Sequence, residues 1–341
     1  MTKITLQHLA EKLKISISTV SKALNGYSDI NSNTKKKVVD LAKSLNFSPN
    51  TQAAYLRTKK TKMIGLIIPH ISHPFFSNVL RGVLDSAEKE GYFVIVLKSN
   101  ESYENEKELI NKLLIQNVDG IFISLSQDTY DLDHLKKIKK SDTILIQFDK
   151  ISKLIDSSKV VVDDREAAYI ATEHLIKNGC KKIVHIRGEL LPQISIDRFL
   201  GYKQALTDYN IPYDPKKVLM SHYLTDNDGF EVMEEFISKN IEFDGVFSMA
   251  DFAAIGAMES LKRHKIKVPD DVKVIGFSNW ILTDKLTPSL STINQPGILM
   301  GNKCFNLFLK EVDFKKKKID FKYEKKIFKT ELVVRESSSL E

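Results

Sequence analysis

The residue types that could do chemistry fall into two groups. In the first, Ile17, Ser18, Ser21 and Lys22 set short polar groups and one cation on a helix face opposite Val20, Ala23 and Leu24. Groups of this kind can approach base edges and phosphates in a DNA major groove, which is recognition rather than catalysis. The second group holds the pairs that an enzyme or a metal site would need. Asp163-Asp164 opens a helix beside a strand, and Asp270-Asp271 follows Pro269 in a loop, so helix-dipole and turn roles account for both. His70 and His73 lie three apart near a turn, too thin a set for a metal. The chain has no G-x-x-x-x-G-K-[ST], no H-E-x-x-H, no G-x-S-x-G and no Cys/His cluster with metal spacing. No catalytic residue, no metal and no cofactor is expected.

The elements that must position the first group are short helices. Thr5 is a plausible N-cap, with Leu6, Leu9, Ala10 and Leu13 following at helical spacing. A break at Lys14-Ile15 precedes Ser16, a second N-cap candidate, and the next helix stops at Asn25-Gly26. Two short helices joined by such a turn are the helix-turn-helix arrangement. A third helix over residues 32–45 carries Val38, Leu41, Ala42 and Leu45 on one face and Lys35, Lys36 and Lys37 on the other, with Phe47 closing the core. Asn50 can cap one more short helix, but some seven residues are too few to be helical alone. That segment should order only against a second copy or on DNA.

Charge separates this head from the rest. Residues 1–60 hold ten lysines and Arg57 against Glu11, Asp29 and Asp40, a net of +8 within a chain total of +7. The remaining 281 residues therefore sum to −1. A basic head on a near-neutral body suits a polyanion at the head, although a solvated lysine surface has the same composition. At 341 residues the chain should form two or three units. Cys180 and Cys304 make no disulfide scaffold, which fits a reducing compartment. The start MTKITLQHLAEKLKIS lacks the apolar core of a secretory signal, and no run of about 18 apolar residues occurs. A soluble cytoplasmic protein with no membrane partner is expected.

From Met63 onward short apolar runs alternate with helical stretches. MIGLIIP, YFVIVLKS, VDGIFIS, TILIQFD and VVVDD are followed by KKIVHIRG, VLMSHYL, FDGVFSM, VKVIGFS, LSTIN and FKTELVV. Helical patterns fall at 75–90, 105–116, 165–177, 198–209, 228–239, 253–264 and 298–309. Such alternation means α/β architecture with parallel sheets, and more than ten strands suggest two sheets. The lysine-rich FKKKKIDFKYEKK reads as a solvated loop before an edge strand or, less simply, as a second nucleic-acid site.

The segments TLQHLAEKLKISISTVSKALNG and NFSPNTQAAYLRTKKT closely resemble the DNA-binding head and hinge of the LacI/GalR (lac and purine repressor) family. The resemblance makes Ile17, Ser18 and Lys22 the base readers, residues 50–57 a hinge helix, and Leu56 the wedge that enters DNA from the minor groove. It extends the expected DNA contacts to Thr5, Ser16, Thr19, Ser21, Asn25 and Thr34 in the head, and to Asn50, Ala53 and Arg57 in the hinge. Lys22 stands where arginine is common, and Ile17 replaces a polar or aromatic reader, so the operator cannot be copied from a relative.

The body resembles the type I periplasmic-binding-protein fold that this family uses to sense effectors, through KMIGLIIPHISHPFFSNVLRGV, NVDGIFIS, VVVDDREAAYIATEHLIKNGCKKIVHI, DRFLGYKQAL, FSMADFAAIGAME and VIGFSNW…TPSLSTINQP. The resemblance implies a ligand between two lobes, at the carboxyl ends of the strands. Asp149 matches a cleft aspartate able to accept sugar hydroxyls, and Arg198 an arginine that grips effector hydroxyl or carboxylate groups. Phe75 and Phe76 could wall the ligand or pack as core aromatics, and Asp251 could bind ligand or cap its helix. Gln295 lies on the crossover strand, and Trp280 could stack on a sugar or merely cover the lobe. Ser278 stands where many relatives carry an aspartate, which argues against a familiar hexose or purine effector.

The expected organisation is a helix-turn-helix domain at 1–48, a hinge at 49–60 and an effector-binding, dimerising domain at 61–341. Its first lobe should cover about 61–160 plus 296–320, and its second about 161–293 plus 322–336. The function implied is an effector-controlled regulator, binding a pseudo-palindromic double-stranded DNA operator as a homodimer. A solute-binding protein of the same fold is the alternative, set against the basic head.

Overall fold

The computed structural model describes residues 4–24, 26–45, 47 and 60–339. The chain divides into two compact units, Met1–Thr61 and Lys62–Glu341.

In the smaller unit α1 (Leu6–Leu13), α2 (Ile17–Leu24) and α3 (Ser32–Ser44) enclose one core. Thr5 starts α1 reciprocally. Its hydroxyl accepts from the His8 backbone N–H at 3.4 Å, while the His8 ring accepts from the Thr5 N–H at 3.1 Å. Lys14 ends α1 in the left-handed region at φ 52°, which turns the chain sharply into α2. Ser16 then caps α2, its hydroxyl accepting from the Thr19 N–H at 3.1 Å. Leu9, Val20 and Val38, one from each helix, are fully buried. Each contributes about 1.5–3 kcal/mol of burial free energy, enough to hold helices too short to persist alone.

The larger unit carries two six-stranded sheets. The first is built from β1 (Met63–Ile68), β2 (Phe93–Lys98), β3 (Gly120–Ile123), β4 (Ile144–Phe148), β5 (Ser158–Val162) and β11 (Lys325–Phe328), in the order β11-β5-β4-β3-β1-β2. All its pairings are parallel, with Ile64 opposite Gly120 and Lys325 opposite Lys159. The second holds β6 (Ile183–Arg187), β7 (Val218–Met220), β8 (Gly245–Ser248), β9 (Lys273–Phe277), β10 (Ser291–Asn294) and β12 (Glu331–Val333), in the order β12-β10-β9-β8-β6-β7. Only β12 runs antiparallel, against β10. The central strands are buried throughout and mostly apolar because helices cover both sheet faces.

The first sheet is flanked by α4 (Pro74–Lys89), α5 (Tyr103–Ile115) and α6 (Asp133–Lys139), and the second by α7 (Asp164–Lys177), α8 (Gln193–Asp208), α9 (Asp226–Ser238) and α10 (Asp251–Arg263). The long α11 (Gly297–Lys317) follows β10 of the second sheet yet packs on α4 and on β4 and β5 of the first. The chain thus crosses between sheets three times, after β5, after β10 and after β11.

Three sequence expectations need correction. The closing segment 322–336 does not belong to one lobe. Lys325–Phe328 extends the first sheet, and Glu331–Val333 extends the second, with Lys329 and Thr330 between them. Exposed lysines hid the first of these strands, because an edge strand need not show apolar alternation. Helix α6 was not expected, since its seven residues offer too few turns for periodicity to register. Finally, α11 runs on to Lys317, eight residues past its expected end at Leu309.

Cys180 and Cys304 are free and buried in different cores. Among the described residues no helix is long and apolar enough to cross a membrane.

Candidate functional site

The smaller unit offers one polar face. Ile17 is 48% exposed, and the hydroxyls of Ser18, Ser16 and Thr19 form a chain with contacts of 2.7 and 2.8 Å. Ser16 and Thr19 are thereby engaged in shaping the start of α2. Lys22 reaches Asp29 at 2.5 Å, which holds the ammonium above and the carboxylate below their ordinary pKa ranges. Both are open to solvent, so a phosphate can replace the carboxylate with little loss. Ser21 and Thr34 are half-buried, Thr34 near the start of α3. Asn25, Asn50, Ala53, Leu56 and Arg57 lie outside the described residues.

In the larger unit a cavity of about 440 Å³ opens at the carboxyl ends of strands from both sheets. It lies where each sheet reverses its strand order, beside β1 in the first and β6 in the second. Open α/β sheets gather ligands at such points. Phe75 and Phe76 come from the first turn of α4, Asp149 from the end of β4, Arg198 from α8, Ser278 from the end of β9 and Gln295 from the crossover after β10. The cavity thus brings together six of the eight positions expected to contact an effector.

The guanidinium of Arg198 donates from Nε and Nη2 to Asp164 Oδ1, at 2.8 and 2.7 Å, and from Nη1 to the Met249 carbonyl at 2.8 Å. It lies 3.6 Å over the ring of Phe277. Burial outweighs the pull of Arg198 and pushes the Asp164 carboxyl up to about 6. Asp149 accepts from Ser124 Oγ at 3.1 Å, and burial raises its pKa too. Gln295 accepts from Ser278 Oγ at 3.1 Å through Oε1, while its buried Nε2 has no hydrogen-bond partner among the described residues. A buried, unpaired amide donor costs about 1–3 kcal/mol until something accepts from it.

Two expected contacts do not line the cavity. Asp251 is 2% exposed and faces its own sheet, accepting from Thr292 Oγ1 at 2.6 Å and from the Trp280 N–H at 2.7 Å. It caps nothing either, since Ala250 holds the N-cap position of α10. Trp280 lines a neighbouring groove, its ring tilted against Phe252 with centroids 4.6 Å apart, and it is Phe252 that reaches the cavity wall.

Sequence reasoning missed several lining residues. Lys150 and Glu101 form a largely buried ion pair at the ends of β4 and β2. His73 sits edge-on to Phe76 at 5.5 Å and to Phe252 at 5.8 Å, and burial pushes its pKa down to about 3, so the ring is neutral. Position just after a strand's carboxyl end was the available signal for Lys150 and Glu101. Backbone strain marks the same places: Glu101, Asp149, Leu224 and Ser278 line the cavity at φ 57°, 56°, 55° and 115°. Non-glycine residues in this region cost of order 1–3 kcal/mol each, and they cluster at ligand sites.

Among the described residues no group of three or more His, Cys, Asp or Glu could hold a metal. The family model for periplasmic binding proteins and the sugar-binding domain of the LacI family matches residues 61–327, and that for bacterial regulatory proteins of the lacI family matches residues 5–50. The HTH-type transcriptional regulator RegA of Clostridium saccharobutylicum is 31% identical over 316 residues, 92% of this chain and 93% of its own. The ribose operon repressor of Halalkalibacterium halodurans is 30% identical over 335 residues, 98% of this chain and 97% of its own. The lac repressor dimer bound to operator and the anti-inducer ONPF has the same fold, with a TM-score of 0.86 over 99% of both chains at 22% identity.

Proposed function

We propose, from the premise that the chain belongs to the LacI family of DNA-binding transcriptional regulators, that it is a repressor whose hold on its operator is set by an uncharged sugar or sugar derivative in the cavity. The observation that carries the effector class is the hydrogen-bonding balance of the lining. Each lining cation already has a carboxylate, Lys150 in Glu101 and Arg198 in Asp164, while Asp149 and Asp226 add negative charge. An anionic ligand would meet no uncommitted cation, and burying its charge would be costly. A neutral polyol can accept from Gln295 Nε2 and donate to Asp149, with its apolar face against Phe75, Phe76 and Phe252. No bond is made or broken in this reading, and the protein acts in the cytoplasm beside its DNA.

On DNA the reading is a homodimer on a pseudo-palindrome. Two α2 helices enter major grooves about one turn apart, presenting Ile17, Ser18 and Lys22. The hinge residues Asn50 to Arg57 order at the centre, where Leu56 wedges into the minor groove. The effector acts through the three crossovers between sheets. Asp164 follows the first and Gln295 lies in the second, so a ligand held by Arg198 and Gln295 bears on the angle between lobes.

Titration calorimetry of the full chain against neutral pentoses, hexoses and disaccharides, their phosphates and their uronic acids tests the effector class. Binding by a neutral sugar and by none of its anionic forms is expected. Tighter binding of a phosphorylated sugar than of its parent overturns the charge argument.

A further inference from the structure

Three pieces of the first lobe bring lysines to one end of its sheet. α6 finishes with Lys136, Lys137 and Lys139, and Lys140 follows. α11 finishes with Lys315, Lys316 and Lys317, and Lys318 caps it. The connection into β11 adds Lys322, β11 itself begins with Lys325 and Lys326, and Lys329 follows it. These pieces touch. The Lys139 ammonium lies 4.1 Å over the Tyr323 ring, Phe321 packs on Phe314 at 5.2 Å and on Tyr323 at 5.8 Å, and Lys315 donates to the Asp142 carbonyl at 2.9 Å.

The charge here is out of proportion to its surroundings. Residues 133–142 and 315–329 hold twelve lysines against Asp133, Asp142, Asp320 and Glu324, a net of +8 in 25 residues. The larger unit as a whole sums to −1, so the rest of it carries −9. An ordinary solvated face interleaves signs. Of these twelve lysines only Lys136 and Lys316 have a carboxylate within 4.0 Å among the described residues. Concentrated positive charge of this kind is the footprint of a polyanion partner.

Topology indicates which polyanion. The strands of the first sheet are parallel, and β1 begins at Met63, where the chain arrives from the smaller unit. Lys325 begins β11, Lys139 and Lys140 stand just before β4, and Lys317 and Lys318 just before β11. Apart from Lys329, which follows β11, the lysines therefore lie at the end opposite the effector cavity, the end at which the chain enters. Fifteen residues separate Phe47 from Met63, a tether of at most about 55 Å. DNA held by the head is kept within that reach at high effective concentration.

We propose that this lysine face binds the phosphate backbone of duplex DNA flanking the operator, a second and sequence-independent contact. The inference goes beyond the effector reading and depends on the DNA-binding head only for the tether.

The test compares the full chain with a variant carrying Lys137→Gln, Lys140→Gln, Lys317→Gln and Lys322→Gln. All four side chains are exposed and make no ion pair among the described residues, so equal melting temperatures are expected. A control carries Lys181→Gln, Lys216→Gln, Lys262→Gln and Lys265→Gln, the same reduction in charge on the second lobe. Affinity for a 60-base-pair random-sequence duplex is read by fluorescence anisotropy from 50 to 200 mM KCl. The slope of log K against log salt should be shallower by about 3.6 in the first variant, at about 0.9 for each of four phosphates no longer neutralised. Over this salt range wild type then loses about 150-fold more affinity than the variant, while the control keeps the wild-type slope. Coincident slopes overturn the proposal. So does an unchanged DNA slope together with abolished binding to labelled poly-L-glutamate, which assigns the face to an acidic protein. If wild type binds no duplex at all, the head itself fails as a DNA-binding element and the proposal falls with it.

Discussion

Replacing Arg198 with methionine keeps most of the side chain's length and removes its charge from a site that is closed to solvent. Arg198 is 5% exposed and Asp164 7%, and three guanidinium hydrogen bonds disappear together. Breaking one side of a buried pair costs about 3–5 kcal/mol, because the other charge is left stranded. With an unfolding entropy of about 2.1 cal/mol/K per residue over the larger unit, that lowers the melting temperature by about 5–9 °C. The loss must depend on pH. Asp164 titrates at about 6 with Arg198 beside it, and higher without it. A carboxyl whose folded pKa lies above its unfolded value binds more protons when folded, so stability falls as pH rises through the window between the two values. The variant's deficit should therefore be larger at pH 7.5 than at pH 5.5. Asp149, which also faces Arg198, moves in the same direction and adds to the effect. Scanning calorimetry at the two pH values measures this, and Arg198→Met with Asp164→Asn should recover most of the stability without restoring sugar binding. A single variant melting within about 1 °C of wild type, an equal deficit at both pH values, or a double variant no better than the single would refute the reasoning.

Gln295→Leu should lower sugar affinity about 10-fold with little net change in melting temperature, since loss of the Ser278 Oγ bond to Oε1 is offset by removal of the unpaired buried Nε2; calorimetric titration beside a thermal melt separates the two. Gly276→Ala places a methyl 2.3 Å from Asp251 Oδ1, so the carboxylate must leave Thr292 and the Trp280 N–H at a cost of about 1–3 kcal/mol. Trp280 is the only tryptophan, and its emission during urea unfolding reports both the displacement and the reduced stability. Leu9→Ala, at a fully buried position of a small core, costs about 2–5 kcal/mol and should abolish sequence-specific operator binding in anisotropy while the larger unit still binds sugar.

Much was legible in order along the chain. Thr5, Ser16 and the Leu9, Val20 and Val38 spacing define the head, because caps and helical periodicity are local properties. Alternating apolar runs and helices defined two parallel sheets, because strands covered on both faces must be apolar throughout. Asp149 and Ser278 were expected through the family resemblance, which sets the ligand at the carboxyl ends of the strands. Tertiary structure alone decided what each candidate touches. Asp251 and Asp149 both stand at strand ends, yet one turns into its sheet toward Thr292 and the other lines the cavity. Arg198 was expected to grip an effector and Lys150 was not singled out, and the fold sets Asp164 and Glu101 against them, a pairing that makes the cavity fit for a neutral ligand. The lysines after Phe314 read as a solvated loop or a second nucleic-acid site, those after Asp133 lie some 180 residues earlier and were not singled out, and only packing makes them one surface. Local sequence fixes periodicity and capping within a few residues. Charge compensation is a property of neighbours in space, and neighbours in space are set by the sheets.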